Sequence, residues 1–358
     1  VVEGKVNLYV STGKISRSMP VFYNPAKEFD RTLSVYFLRA TQKKTVLDLL
    51  AASGARGLRM AVEVPKLKNV HLNDISKVAF QAIKKNIKLN KTKCKITASN
   101  LRADKFLVNS EEYFDYIDID PYGSPIPYIY ISILRLQKDG VLAVTATDLA
   151  PLFGVYPETC LRKYGSTSFR SPFSHEIGIR ILAKAVIEIA AKMNLTLKPI
   201  FAHATQHYYR IYFQASRSYV DKVLQDIGHL YFCEKCKDRF ASKELKETCK
   251  CGAKLKNAGP LFIGNLWDTN VIKAIRTEIS RDITKINKLT KINQFLNTLY
   301  EEALIDTPFY FESSEFEKEP KISDLIWELQ QKGFLAARTH FSPKGIRTNA
   351  AITTINES

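Results

Sequence analysis

The chain has 358 residues, 45% of them hydrophobic, which is enough for two domains with a sizeable core and excludes wholesale disorder. No apolar run reaches the roughly 18 residues that a membrane-spanning helix needs, and the opening VVEGKVNLYV lacks the features of a signal peptide, so the expected compartment is the cytoplasm. A net charge of +17 and a pI near 9.4 favour a polyanionic partner, because each neutralised phosphate releases counterions.

That charge is uneven. Residues 1–220 carry 32 Lys and Arg against 17 Asp and Glu, whereas residues 221–358 carry 21 against 19. The N-terminal part is therefore expected to supply contacts to the polyanion, with a lysine-rich surface serving only solubility as the plain alternative.

In chain order, VNLYVS alternates as a strand and NPAKEFDRTLSVYFLRA has helical spacing. TVLDLLA, NVHLND, CKITAS, YFDYIDID and GVLAVTATD then read as short strands. GLRMAVEVPK, KVAFQAIKKNIKLN and PYIYISILRLQ read as the helices between them. This rhythm predicts a parallel, doubly wound α/β sheet. A long amphipathic helix opens near Ser174, followed by LTLKPIFAHAT and HYYRIYFQAS, which lie too close together for a crossover helix and should pair antiparallel. Five parallel strands closed by such a hairpin resemble the Rossmann-like fold of S-adenosylmethionine-dependent methyltransferases over roughly residues 20–218. Beyond residue 220 the composition shifts to a cysteine-rich knot at 231–256, helices near 268–282 and 288–304, and a basic helix–turn–hairpin end compatible with a winged helix. The expected division is 1–220 for a catalytic domain and 221–358 for a smaller α+β domain with a zinc knuckle.

In a doubly wound sheet the ligand sits at the carboxyl ends of the strands. The first such loop is ASGARG, where Gly54 and Gly57 let the backbone approach a ligand. Ser53 belongs to this loop, and Arg56 could pair with a methionine carboxylate. Asp74 closes the next strand and suits the two hydroxyls of a ribose. After the third strand, backbone groups of Arg102 and Ala103 are the candidates for adenine. The loop lacks a full G-x-G-x-x-G, which disfavours a nicotinamide dinucleotide, and a plain helix-entry turn is the structural alternative.

DIDPYG follows the fourth strand. An exocyclic amine of a base is a poor nucleophile, because its lone pair is delocalised into the ring. A carboxylate and a backbone carbonyl that accept its two N–H bonds can aim the nitrogen at a methyl donor. Asp120 and the Pro121 carbonyl are the candidate acceptors, and Tyr122 is a candidate ring to stack on a flipped base. Asp118 is either a second acceptor or a buried structural partner. Phe22, in the Pro-bracketed PVFYNP, is a second candidate ring, with core packing as its alternative. His175 and Glu176 open the long helix, where an acid suits the helix dipole; a structural role is expected for both.

Four of six cysteines read Cys233-x2-Cys236-x12-Cys249-x-Cys251. Two thiolate knuckles suit a tetrahedral structural zinc, and disulfides are the disfavoured alternative in an intracellular protein. Lys235, Lys237, Arg239 and Lys243 nearby are candidate phosphate contacts.

VFYNPAKEFDRTLSV, AASGARGLR, NDIS, DIDPYGSP, RSPFSHEIGIRIL and the placing of the cysteines together resemble the tRNA (guanine N2,N2)-dimethyltransferases of archaeal type. The resemblance spans essentially the full length. It implies S-adenosylmethionine as donor and the exocyclic N2 of guanine at tRNA position 26 as acceptor. It also implies that Arg31 and Arg56 hold the methionine end, Asp74 the ribose, and Phe22 with Tyr122 the guanine. Asp30 and Thr32 depart from the family's usual Asn and Asp, and Arg102 falls where an acid is common. A monomer is the expected state. Two other readings are an amino-methyltransferase on DNA adenine or another RNA, and a non-catalytic nucleic-acid-binding adaptor, the latter disfavoured by intact Gly54, Asp74 and DPYG.

Overall fold

Apolar, β-branched segments alternate with short helical ones from Thr45 onward, and the backbone follows that alternation. The computed structural model describes residues 1–11, 13, 19–205, 207–282, 288–316 and 319–356. A small hairpin of β1 (Val2–Glu3) and β2 (Val6–Asn7) precedes α1 (Glu28–Thr41). Then follow β3 (Thr45–Asp48), α2 (Ala55–Glu63), β4 (Asn69–Asn73), α3 (Lys77–Lys88) and β5 (Lys95–Ser99). The alternation continues through α4 (Ala103–Asn109), β6 (Phe114–Ile119), α5 (Ile126–Ile133) and β7 (Leu136–Ala146). After α6 (Leu149–Leu152), α7 (Pro157–Tyr164) and the long α8 (Ser174–Ala191) come β8 (Thr196–Ala204) and β9 (Tyr209–Ser216).

The seven-stranded sheet has the order β5-β4-β3-β6-β7-β9-β8. β3 pairs in parallel with both β4 and β6, and the β4–β5 and β6–β7 pairs are parallel as well. Strand order therefore reverses between β3 and β6, which brings the carboxyl ends of both strands to one switch point. Val46, Leu47, Tyr116, Ile117, Leu142 and Val144 are fully buried, as strands covered on both faces require. β8 and β9 are separated only by residues 205–208, too few for a crossover helix. The expected Rossmann-like architecture is thus present.

One expectation is shortened. The strand read over VNLYVS ends at Asn7, because the Tyr9 amide donates to Asn86 Oδ1 at 2.6 Å and Asn86 Nδ2 returns a bond to the Tyr9 carbonyl at 3.0 Å. A buried side chain there takes the place of a partner strand.

Internal packing divides the chain into two units. The first is Val1–Thr145 with Tyr212–Ser218 and Lys273–Asn293; the second is Ala146–Ile211 with Tyr219–Ile272 and Gln294–Ser358. In the second lie α9 (Val220–Leu224) and a three-stranded sheet of β10 (Ile227–Phe232), β11 (Arg239–Ser242) and β12 (Lys256–Phe262), in the order β11-β10-β12. The chain continues through α10 (Thr269–Ser280), α11 (Leu289–Glu302), β13 (Phe311–Glu312), α12 (Ile322–Gln331), β14 (Ala336–Arg338), β15 (Gly345–Thr348) and α13 (Ile352–Asn356). α12 followed by the antiparallel β14–β15 pair gives the helix-and-hairpin end read from the sequence.

A buried ionic network holds the second unit. Glu176 on α8 pairs with Arg180 at 2.9 Å and with Arg347 at 2.8 Å, and Arg347 also reaches Glu302 at 2.9 Å. Burial alone would raise the Glu302 carboxyl, but His340 and Arg347 hold it down at about 2. Glu176 is therefore a structural acid, as expected. His175 donates or accepts at the Tyr209 hydroxyl, 3.2 Å away.

Candidate active site

The loop after β3 is shaped to receive a ligand. Gly54 caps α2 in the left-handed conformation, with φ +76°, and Ala52 is also left-handed at φ +50°, which a residue with a Cβ rarely adopts. Ala52 is held there by Asp74, whose Oδ2 accepts the Ala52 amide at 2.8 Å while Oδ1 accepts the Ser76 amide at 2.8 Å. Ser53 is buried, and its carbonyl accepts from Asn86 Nδ2 at 2.9 Å. Gly57 plays a different part from the one read in the sequence. A Cβ there would lie 2.2 Å from Leu72 and 3.3 Å from an Asp48 carboxylate oxygen, so this glycine lets α2 press on the sheet.

A cavity of about 390 Å³ opens where β3, β4 and β5 end. Its lining includes Leu50 after β3, Ile75 after β4, Arg102 and Ala103 after β5, and Pro127 and Ile131 on α5. Apolar walls beside backbone amides at a helix start suit a planar base, and Asp74 at the end of β4 suits its ribose. The Arg102 side chain points to Asp104, 2.9 Å away, and this pairing holds the exposed Asp104 carboxyl down to about 2.

The DPYG loop converges on Arg56. Its Nη2 lies 2.6 Å from Asp120 Oδ2 and 2.5 Å from Asp30 Oδ2, its Nη1 donates to Ser34 Oγ at 2.7 Å, and its Nε is 3.4 Å from Asp118 Oδ1. Lys27 Nζ reaches the other oxygen of Asp120 at 2.5 Å. Asp118 is fully buried and accepts the Tyr116 hydroxyl at 2.8 Å, the geometry of a structural partner. In the same buried cluster, burial and then the Asp118 carboxylate push the Asp48 carboxyl up to about 7. Pro121 is buried behind the loop, while Gly123 is left-handed at φ +92° and gives the turn that leaves Tyr122 about half exposed. Phe22 meets Tyr122 edge to face, with ring centroids 4.5 Å apart, so a base has to part these two rings to lie between them.

Arg31 is buried and already paired. Its Nε donates to Glu3 Oε1 at 2.7 Å and its Nη2 to the Asn24 carbonyl at 3.0 Å, tying the N-terminal hairpin to the segment that carries Phe22. Lys27, Ser34 and Asp48 are site neighbours that the sequence did not single out, and Asp30, noted there only as a departure from the family's pattern, pairs with Arg56. For Lys27 the available signal was the Asn-Pro pair. Asn24 Oδ1 accepts the Ala26 amide at 2.9 Å, starting a 3-10 turn over Pro25–Lys27 that delivers Lys27 to the site.

In the second unit, the Sγ atoms of Cys233, Cys236, Cys249 and Cys251 all lie within 4.8 Å of one another. Two pairs stand at 3.6 and 3.5 Å, close to the edge of about 3.8 Å that a tetrahedron of ~2.3 Å zinc–sulfur bonds has. Tight turns shape both knuckles, with the Lys237 amide on the Cys233 carbonyl and the Gly252 amide on the Cys249 carbonyl, each at 2.9 Å. The cluster is compatible with structural zinc. Arg239 corrects an expectation: it is buried, donates to the Tyr310 carbonyl at 2.6 Å and pairs with Glu315, so it has no access to a phosphate.

A family model described as N2,N2-dimethylguanosine tRNA methyltransferase matches residues 3–358. The chain belongs to this family. An Aquifex aeolicus protein named tRNA (guanine(26)-N(2)/guanine(27)-N(2))-dimethyltransferase is 37% identical, over 94% of this chain and 88% of its own. A Pyrococcus furiosus tRNA (guanine(26)-N(2))-dimethyltransferase is 34% identical over 98% and 95%. Among solved structures, Trm1 from Pyrococcus horikoshii in complex with S-adenosyl-L-methionine superposes with a TM-score of 0.89 at 30% identity, covering 100% of this chain and 98% of that one. The dimethylguanosine tRNA methyltransferase fold thus accounts for both units. Its cofactor class fits the residues present here: a left-handed glycine turn, an acid at the end of β4 and an apolar cavity beside them.

Proposed function

We propose that this chain transfers methyl groups from S-adenosylmethionine to the exocyclic N2 of guanine 26 in tRNA, giving N2-methyl- and then N2,N2-dimethylguanosine. The observation that carries the reading is Asp120, presented by the loop after β6 at the switch point and clamped through both oxygens by Lys27 and Arg56. S-adenosylmethionine supplies an electrophilic methyl group when bound. The loop of Ser53 and Gly54, the acid of Asp74 and the amides at Arg102 and Ala103 are the groups proposed to hold it. Arg31 and Arg56 are proposed at its methionine end, Arg56 by way of the carboxylates it orders.

The rest is done by the protein's own groups. A carboxylate has about four lone-pair sites, and the two cations take one on each Asp120 oxygen. The remaining sites can accept an N2–H, and the Pro121 carbonyl can accept the second. Both bonds draw lone-pair density back onto the nitrogen and aim it at the methyl group. As the new N–C bond forms and the donor's S–C bond breaks, the nitrogen gives up one N2 proton to the Asp120 carboxylate, which passes it to solvent. Phe22 and Tyr122 part to hold the ring between them. Residues 221–358, with the zinc knuckle and the helix-and-hairpin end, are proposed to bind tRNA by shape and phosphate contact, since duplex RNA offers side chains little sequence.

Incubation with methyl-labelled S-adenosylmethionine and unmodified tRNA transcripts, followed by digestion to nucleosides and site mapping, tests this reading. Label in N2-methylated guanosine at position 26 is expected. Label at guanine 27 as well would extend the target to the pair in the Aquifex aeolicus relative's name, and label in adenosine would overturn the choice of base.

A further inference from the structure

The segment Lys77–Lys95 holds seven lysines (77, 84, 85, 88, 91, 93 and 95) and no acidic residue. All seven are exposed, and none has an acidic group within ion-pair distance among the described residues. Against a net charge of +17, this one stretch accounts for a large share. Its placement gives the charge a direction. α3 starts directly after Asp74, and Lys77, Gln81, Lys84 and Lys88 fall at i, i+4, i+7 and i+11, one exposed stripe opposite the buried Ala79, Ala82 and Ile83. Over twelve residues the helix runs about 18 Å away from the cofactor end of β4. β5, which follows, is the outermost strand of the sheet, and its Lys95 amide bonds the carbonyl of the exposed Lys68 at 2.8 Å, extending the charged edge.

An aromatic ring is built into this face. Tyr9 is 55% exposed, yet its backbone is fixed by two bonds to Asn86 on α3, and Lys85 Nζ sits 3.3 Å from its ring centroid. A polypeptide that needed only solubility would have no reason to immobilise an exposed ring among unpaired cations. Unpaired lysines at helical spacing with an interleaved aromatic are what a nucleic-acid backbone fits.

We infer that the α3–β5 edge is a docking surface for the phosphate backbone of the tRNA arm that extends away from the target guanine. The inference rests on the functional reading above and names the surface of the first unit that meets the same substrate. It also accounts for the concentration of positive charge in the N-terminal part of the chain.

The full chain with Lys84, Lys85, Lys88 and Lys91 all changed to Ala provides the test, with tRNA methylation measured from ~50 to 300 mM salt. KM for tRNA is expected to rise about tenfold near 100 mM salt with kcat at saturating tRNA within about twofold, and the slope of log KM against log salt should fall by about 3, since each lost phosphate contact removes ~0.7–0.9. The all-Arg version at the same four positions should restore both. The thermal shift produced by S-adenosylmethionine reports that the variant is folded; if it is absent, Lys84→Ala and Lys88→Ala singly are measured for the same change in slope. An unchanged KM and salt slope in a folded, active variant would overturn the docking surface while leaving the reaction intact. Failure of the unsubstituted chain to methylate tRNA would overturn the functional reading and this surface with it.

Discussion

Lys27 Nζ lies 2.5 Å from Asp120 Oδ1, although 93 positions separate the two residues in the chain, one before α1 and one after β6. With Arg56 on the other oxygen at 2.6 Å, the carboxylate of the DPYG loop is fixed in rotation before any base arrives. Four acids, Asp30, Asp48, Asp118 and Asp120, share the neighbourhood of Arg56, so a second cation has an evident use. Lys27→Met keeps the length of the side chain and removes the charge. A fall in kcat of up to about a hundredfold is expected, the scale of a misplaced reacting group, with substantial rescue in Lys27→Arg and little change in S-adenosylmethionine binding. Equal activity of the Met and Arg variants would show that the contact is incidental.

The contact of Phe22 with Tyr122 leads to a prediction about substrate affinity. If both rings flank the guanine, Phe22→Ala and Tyr122→Ala each lose a stack worth ~1–3 kcal/mol, seen as a roughly 5- to 150-fold rise in KM or fall in kcat/KM for tRNA. Tyr122→Phe retains the ring and should stay near the unsubstituted enzyme. An Ala variant with unaltered kinetics would remove that ring from the site.

Asp48 sets a pH dependence of stability. Its carboxyl is raised to about 7 in the folded chain, above the ordinary value of 3.8, so the folded state favours the protonated form. That contribution is fully present below about pH 4 and is lost as pH rises through about 7. Asp48→Asn keeps an acceptor for the Gly57 amide, which bonds Asp48 Oδ2 at 3.1 Å, and cannot ionise. Relative to the variant, the unsubstituted chain should lose on the order of 4 kcal/mol of unfolding free energy between pH 4 and 8. Parallel stability curves from denaturant titration would contradict the assignment.

The cysteine cluster predicts about one zinc per chain by elemental analysis, with removal by a strong chelator lowering the melting temperature. Cys236→Ser should lose the metal. Retention of full stability after verified metal removal would argue that the cluster does not depend on zinc.

Much of this was legible locally. Each of the five parallel strands announced itself as a short apolar run, and the ASGARG and DIDPYG loops lay where the strands ended, because strand, loop and helix are properties of adjacent residues. The four cysteines were equally plain from spacing. What the sequence hid were pairings across long separations in charged side chains. Lys27 lay unremarked in the helical stretch NPAKEFDRTLSVYFLRA and Arg239 read as a phosphate contact, yet the first meets Asp120 and the second is buried against Glu315. Gly57 was misread for a related reason, since only the packed sheet reveals that Leu72 stands where its Cβ would be.

Asp120 is the group proposed to aim N2 at the methyl donor, and single-turnover methyl transfer to unmodified tRNA in Asp120→Ala reads that role alone. Binding of S-adenosylmethionine and of tRNA should remain close to that of the unsubstituted chain while the rate of N2 methylation falls by about 10²–10⁴. A variant that binds both and still methylates guanine 26 at an undiminished rate would contradict the account.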